Sequence, residues 1–256
     1  MLKYLYHIVK YRKQILSSYP SQVSVELTTN CNRSCGSCCR PQLIEAKKFA
    51  VKDMIFDDFK LLVNQLKQIS FGSLCFGGIG EPSLHSQFVE ALSYAKENLH
   101  VPLTLFTNGT ALGAKKDTVL SCCSNIFLSL SEQENVNLNL HSKSALYQVK
   151  SLHNCSLGSQ VYGERYPCLQ AFTNLYVTNN LDVYGCCMGT VVKCLEENKS
   201  KLFLGNFKED DWKTIKVNAL KLQEDLKRNW LPNRCLSCDM WQKSPNLFIN
   251  YRGQWI

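Results

Sequence analysis

The stretch ELTTNCNRSCGSCCRP, residues 26–41, places four cysteines within nine positions. It directly follows Val23-Ser24-Val25-Glu26-Leu27, whose alternation of apolar and polar side chains predicts a strand. The cysteines therefore sit on a loop at a strand's C-terminal end, spaced Cys31-x3-Cys35-x2-Cys38, with Cys39 crowded behind. Three thiolates on one loop offer three soft ligands to a metal centre that takes four. Structural zinc sites close with four protein ligands, usually as two short pairs from separate hairpins. The spacing suits an iron centre that keeps one position open.

Working outward, the downstream sequence alternates strand and helix patterns. Phe56, Phe59, Leu62, Leu66 and Ile69 mark one face of a helix, with Asp57 and Asp58 near its positive end. Ser73–Phe76 is a second strand, ended by the glycine-rich GGIGEP (77–82), and Ser86 is a candidate cap for the helix QFVEALSYAKEN. VPLTLFT (101–107) is a third strand stopped by Asn108-Gly109, and NIFLSLS (125–131) a fourth. Such alternation implies parallel strands with helical crossovers, in which chemistry gathers on loops at the strands' C-terminal ends. The cysteine loop, GGIGEP, TNG and SLS all fall on that rim.

Beyond Ser131 the pattern breaks. The residues up to Cys168 leave room for one more strand and a helix. NLYVTNNLDVYGC (174–186) is a hairpin with Asn179-Asn180 at its turn. The helical pattern DWKTIKVNALKLQEDLKRNW (211–230) then runs to Pro232 and the pair Cys235-x2-Cys238.

Composition bounds the function classes. The chain has 256 residues, 45% hydrophobic and 20% charged, as one large folded domain or a domain with a modest appendage would. MLKYLYHIVKYRKQIL is apolar and basic, but Lys3, His7 and Lys10 interrupt it and no small-residue cleavage site follows. It is neither a signal peptide nor a membrane span; Tyr4, Leu5, Ile8 and Tyr11 have the spacing of a short amphipathic helix. Fourteen cysteines without a signal peptide point to a reducing, cytoplasmic setting, hence to metals and redox cofactors before disulfides. A net charge of +8 suits an anionic ligand. With no run of five like charges and no helix-turn-helix or aromatic-basic RNA motif, no nucleic-acid partner is expected.

The Cys31-x3-Cys35-x2-Cys38 loop resembles that of the radical S-adenosylmethionine (SAM) superfamily. The resemblance implies that these thiolates hold a [4Fe–4S] cluster whose fourth iron is chelated by SAM's amino and carboxylate groups. One-electron reduction then yields methionine and a 5′-deoxyadenosyl radical that abstracts hydrogen from substrate. Cys39 is an alternative third ligand, at the cost of changing the spacing to x3-x3. Gly78-Ile79-Gly80-Glu81-Pro82 resembles the glycine-rich segment that holds SAM's amino group. Thr107-Asn108-Gly109 and Ser129-Leu130-Ser131 are similar to the segments closing strands three and four. The cofactor-binding candidates are therefore Gly78, Gly80, Glu81, Asn108 and Ser129. Two departures stand out: Ser37 replaces the aromatic residue common before the third cysteine, and Ser131 replaces an acid.

The later cysteines, Cys168, Cys186, Cys235 and Cys238, resemble the Twitch domain, a short relative of the SPASM domain, which implies one auxiliary [4Fe–4S] cluster. A four-cysteine zinc site is the alternative for this set, and Cys187 competes with Cys186. Leu204-Gly205-Asn206, the following acidic run and Trp212 resemble the segment joining that hairpin to the last helix. The expected fold is α/β: an N-terminal helix (1–19), a shortened partial (β/α) barrel of the radical SAM type (20–165), and a small C-terminal β-hairpin plus helix that binds the auxiliary cluster (166–256).

Such a shortened barrel looks like the small radical SAM dehydrogenases that act on aminocyclitols. The implied function is oxidation of a small hydroxylated substrate, a sugar or aminocyclitol, with the auxiliary cluster as electron acceptor and flavodoxin or ferredoxin as external donor. Arg165 and Tyr166, ahead of Cys168, are candidate substrate contacts, and Arg165 suits an anionic or hydroxylated group. Modification of a ribosomally made peptide is the enzymatic alternative, and a non-catalytic metal-binding protein the alternative of another class.

Overall fold

The computed structural model describes residues 19–35, 38–130, 145–150, 170–196 and 200–228. The N-terminal helix, Arg165, Tyr166, Cys168, Cys235 and Cys238 lie outside the described residues.

Strand β1 (Gln22–Val25) leads into the cysteine loop, whose far side opens helix α1 (Arg40–Glu45). Helix α2 (Phe56–Leu66), β2 (Ser73–Phe76), α3 (Phe88–Asn98), β3 (Leu103–Thr107), α4 (Lys116–Cys122) and β4 (Asn125–Leu130) then alternate. β5 (Ala145–Lys150) is the further strand anticipated between Ser131 and Cys168. A short helix α5 (Gln170–Thr173) precedes β6 (Asn174–Val177) and β7 (Asp182–Tyr184). Helix α6 (Gly189–Glu196), β8 (Phe203–Asn206) and α7 (Trp212–Lys227) complete the described elements. All eight strands form one sheet in the order β5-β4-β3-β2-β1-β6-β7-β8, parallel from β5 to β6 and antiparallel beyond.

Alternation along the strands divides the sheet into two faces. Val23, Val25, Leu74, Phe76, Leu103, Leu105 and Ile126 are all 2% exposed or less and belong to one core with the helices. α2 contributes Phe59, Leu62, Val63 and Leu66 to it, and α3 contributes Phe88, Ala91, Leu92 and Ala95. The opposite face is polar where it is deepest. Ser24, Cys75, Thr104 and Asn125 stand in one register row, and Ser24 Oγ donates to Asn174 Oδ1 at 3.0 Å. One row nearer the strands' C-terminal ends, Phe106 and Phe127 stack at 4.5 Å.

One local expectation is corrected. Ser86 does not cap α3: the N-cap is Gln87, whose N–H is accepted by His85 Nδ1 at 3.1 Å. Because Nδ1 accepts, Nε2 carries the proton and donates to Met54 O at 2.9 Å, so buried His85 is a structural residue. The hairpin with Asn179-Asn180 at its turn is present, and it joins the main sheet. β6 pairs in parallel with β1, Gln22 opposite Asn174, which makes the hairpin an extension of the barrel sheet. No helix among the described residues is long and apolar enough to cross a membrane.

Candidate functional site

The cysteine loop is pinned at its base. Thr29 N–H donates to Lys52 O, Met54 N–H to Leu27 O, and the Thr29 hydroxyl reaches Ala50 O and Lys52 O. These bonds hold the segment 50–54 against the strand end, so the loop leaves β1 in a fixed direction.

The glycine-rich segment lies directly on this loop. Glu81 N–H donates to Asn30 O at 2.7 Å. A Cβ on Gly80 would stand 2.1 Å from Thr28 O and 2.7 Å from Asn30 O, so only glycine permits this approach. Gly78 is exposed and has a φ of 153°, and a Cβ there would meet the Glu26 carboxylate and the Tyr176 hydroxyl. Both glycines thus serve close approach of backbone to the residues around the loop.

Glu81 is 3% exposed, and its carboxylate is taken up inside the protein. Oε1 accepts from Ser83 N–H, Ser83 Oγ and Thr107 Oγ1, and Oε2 accepts from Asn108 N–H at 2.6 Å. Asn108 in turn directs its amide toward Cys31 Sγ, at 3.9 Å, and to Asn32 Oδ1 at 3.0 Å. Asn32 Nδ2 donates to Thr110 Oγ1 at 2.8 Å, and Arg33 Nη1 donates to Ser129 O at 3.1 Å. The ends of four successive strands are therefore joined at the first half of the cysteine loop, residues 28–33, and Gly80, Glu81, Asn108 and Ser129 all stand in that junction.

The thiols differ in environment. Cys35 is exposed, Cys31 and Cys38 are half-buried, and Cys39 is 2% exposed. A hydrogen bond from the Cys39 side chain lowers the Cys38 thiol to about 6, against the opposing effect of burial, helped by Arg40 N–H at 3.4 Å and the Arg40 charge. Burial pushes Cys31 up, opposed by the Arg33 N–H and by Arg40. Cys39 packs with Leu43 and Val191 in a small apolar cluster edged by Phe49, Ile79 and Cys194. That cluster ties the cysteine loop to α6 and accounts for Cys39 as a packing residue. No three His, Cys, Asp or Glu side chains among the described residues form a group able to hold a metal ion. A single zinc ion needs ligands converging at about 2.0–2.3 Å, whereas a cluster takes its thiolates on separate irons. The half-exposed thiols and the N–H groups beside them fit the cluster.

Sequence reasoning missed a buried network beneath the loop. Glu26 is 1% exposed; Oε2 accepts from Tyr176 Oη at 2.5 Å and Ile79 N–H at 2.9 Å, and Oε1 accepts from Thr190 Oγ1 at 2.8 Å. Burial raises its carboxyl above the usual range despite these donors. The signal was present at the end of β1, since the alternation puts Glu26 on the face opposite Val25 and Leu27, where a carboxylate requires partners from neighbouring strands. On the C-terminal side, half-buried Cys186 accepts from Met188 N–H at 3.4 Å, and Cys187 follows it. A cleft of about 670 Å³ opens nearby between residues 48–52 and α6, edged by Lys48, Lys52 and Lys193.

Comparisons with known proteins place this geometry. No protein-family model matches the chain, and neither does any curated relative. Solved structures do. BtrN in an open conformation shares 19% identity over 88% of this chain and 94% of its own, with a TM-score of 0.63. BtrN in complex with AdoMet and 2-DOIA gives 18% identity over 81% and 87%, with a TM-score of 0.62. Native anSMEcpe with bound AdoMet gives 14% identity over 86% of each chain, with a TM-score of 0.50. These neighbours are radical SAM enzymes. The strand order, the cysteine loop at the end of β1 and these likenesses together give one conclusion: the chain has the radical SAM fold.

Proposed function

We propose that the protein is a radical SAM oxidoreductase that dehydrogenates a small hydroxylated molecule. The observation that carries the reading is the junction of four strand ends at the loop that bears Cys31, Cys35 and Cys38. When bound, a [4Fe–4S] cluster and SAM supply one-electron cleavage to methionine and a 5′-deoxyadenosyl radical, which takes a hydrogen atom from substrate.

The protein's own residues supply placement and shelter. Cys31, Cys35 and Cys38 hold the cluster; Cys39 is buried in the apolar cluster behind them. Gly78 leaves exposed main chain beside the loop for SAM's amino group. Glu81 fixes the TNG turn, and Asn108 donates toward Cys31. Cys168, Cys186, Cys235 and Cys238 would hold an auxiliary cluster, which would take the second electron as the substrate carbon loses a proton. Arg165 and Tyr166 contact the substrate. The small-molecule reading is favoured by overlap with BtrN along nearly its whole length, since that protein was solved with 2-DOIA bound.

The test is anaerobic reconstitution with iron and sulfide, followed by dithionite and SAM. Release of 5′-deoxyadenosine, abolished separately in Cys31→Ala, Cys35→Ala and Cys38→Ala, is the expected result. Iron-free protein holding zinc, with no nucleoside released, overturns the reading. Deuterium transfer from a labelled aminocyclitol into 5′-deoxyadenosine tests the substrate class.

A further inference from the structure

Arg40 is the first residue of α1 and only 8% exposed. Nε donates to Thr29 O at 2.9 Å, and the guanidinium stands 5.9 Å from the centre of the Phe49 ring. Its own backbone N–H points at Cys38 Sγ, 3.4 Å away. Among the described residues, no Asp or Glu oxygen comes within 4.0 Å of its guanidinium. A buried cation without an acid is costly to keep, and buried charges are ordinarily paired or set against a metal centre.

We propose that Arg40 is the fixed counter-charge of the cluster held by Cys31, Cys35 and Cys38, raising the potential at which that cluster accepts an electron. This rests on the cluster reading above. Three thiolates bring negative charge to the loop, and one-electron reduction adds another. A cation held in a buried position favours the reduced state over the oxidised one, because the reduced state carries the extra negative charge. The side chain runs from the residue two places after Cys38 to the carbonyl of Thr29, two places before Cys31, so the charge lies at the base of the cysteine loop. Thr29, pinned to residues 50–52, fixes the guanidinium through its carbonyl, so the charge does not swing into solvent. Lys48 and Lys52 lie close in the fold but are exposed, where salt and water screen them. Arg40 is thus a positioning residue that acts through the cluster and not on substrate.

The experiment is a redox titration of the reconstituted full chain, followed by electron paramagnetic resonance. The cluster concerned is identified as the one whose signal changes when SAM is added. Arg40→Gln keeps hydrogen-bond donors and removes the charge. At the potential that half-reduces the parent cluster, its ratio of reduced to oxidised cluster falls about tenfold, equal to a midpoint about 59 mV more negative for one electron. Arg40→Lys, which keeps the charge, shifts by less than half as much, and Lys52→Gln leaves the midpoint unchanged. Arg40→Gln titrating at the parent potential with a full iron complement overturns the proposal. So does Arg40→Lys shifting as far as Arg40→Gln, since charge is then not the cause. If the parent forms no SAM-responsive cluster, the cluster reading itself fails, and this outcome is distinguishable from the other two.

Discussion

Glu81 and Asn108 are joined across two strands: Glu81 Oε2 accepts the Asn108 backbone N–H at 2.6 Å, while the Asn108 amide faces Cys31 Sγ at 3.9 Å. One buried carboxylate thus sets the position of a group that reaches the cysteine loop. Glu81→Ala leaves the Thr107 hydroxyl and the Asn108 N–H buried without an acceptor, and should cost about 3 kcal/mol or more. Glu81→Gln keeps one acceptor oxygen and should cost less. Denaturant unfolding measures both; equal stability of Glu81→Ala and parent would show that the carboxylate does not organise this junction.

Gly80 is the point of closest approach between the glycine-rich segment and the cysteine loop. Gly80→Ala drives a Cβ into two backbone carbonyls that cannot turn aside. A cost of about 1–3 kcal/mol is expected, together with lower iron retention after reconstitution. Gly113→Ala is the control. Its φ of 37° is strained, costing about 1–2 kcal/mol, but nothing lies within 4 Å and iron retention should match the parent.

Cys38 and Cys39 are separable by experiment. Cys39 is 2% exposed and packed, so Cys39→Ala should retain the SAM-responsive cluster, whereas Cys38→Ala should lose it. In metal-free protein the Cys38 thiol lies near 6, held down by the Cys39 hydrogen bond. Its alkylation rate should therefore rise with pH through about 6 and level off above. In Cys39→Ala the inflection should move upward. An unchanged inflection, read by mass spectrometry of the labelled peptide, would remove Cys39 from this role.

Glu26 gives a pH signature. Burial raises its carboxyl above the usual 4.5, so between that value and its folded value the native state binds more protons than the unfolded chain. Stability contributed at this site is greatest below 4.5 and falls as pH rises toward the folded value, then becomes level. Glu26→Gln removes the titration, so parent and variant should converge, or cross, as pH is raised from 4 to 8. Parallel stability curves across that range would refute a raised carboxyl.

How much of this was legible in the chain differs by element. β1 to β4, helices α2 and α3 and the rim carrying the four loops follow from period and loop position alone, because buried parallel strands and amphipathic helices write their faces into local sequence, whereas the shorter α1 and α4 were not read from it. The spacing of Cys31, Cys35 and Cys38 is equally local. Helix caps were less legible: Ser86 looked the better cap, but the His85 ring, fixed by Met54 from another segment, accepts the N–H instead.

What the chain alone determined is the order of strands and the set of thiols offered at the first strand's end. Only the tertiary structure decided how those thiols are surrounded. Pairing of β6 with β1 brings Tyr176 to Glu26, 150 residues apart, and α6 brings Thr190 to the same carboxylate. Arg40 looked like one basic residue among 29 in the sequence, and folding buried it with no described acid beside it. Burial and partnership arise between segments distant in the chain, and no local period records them.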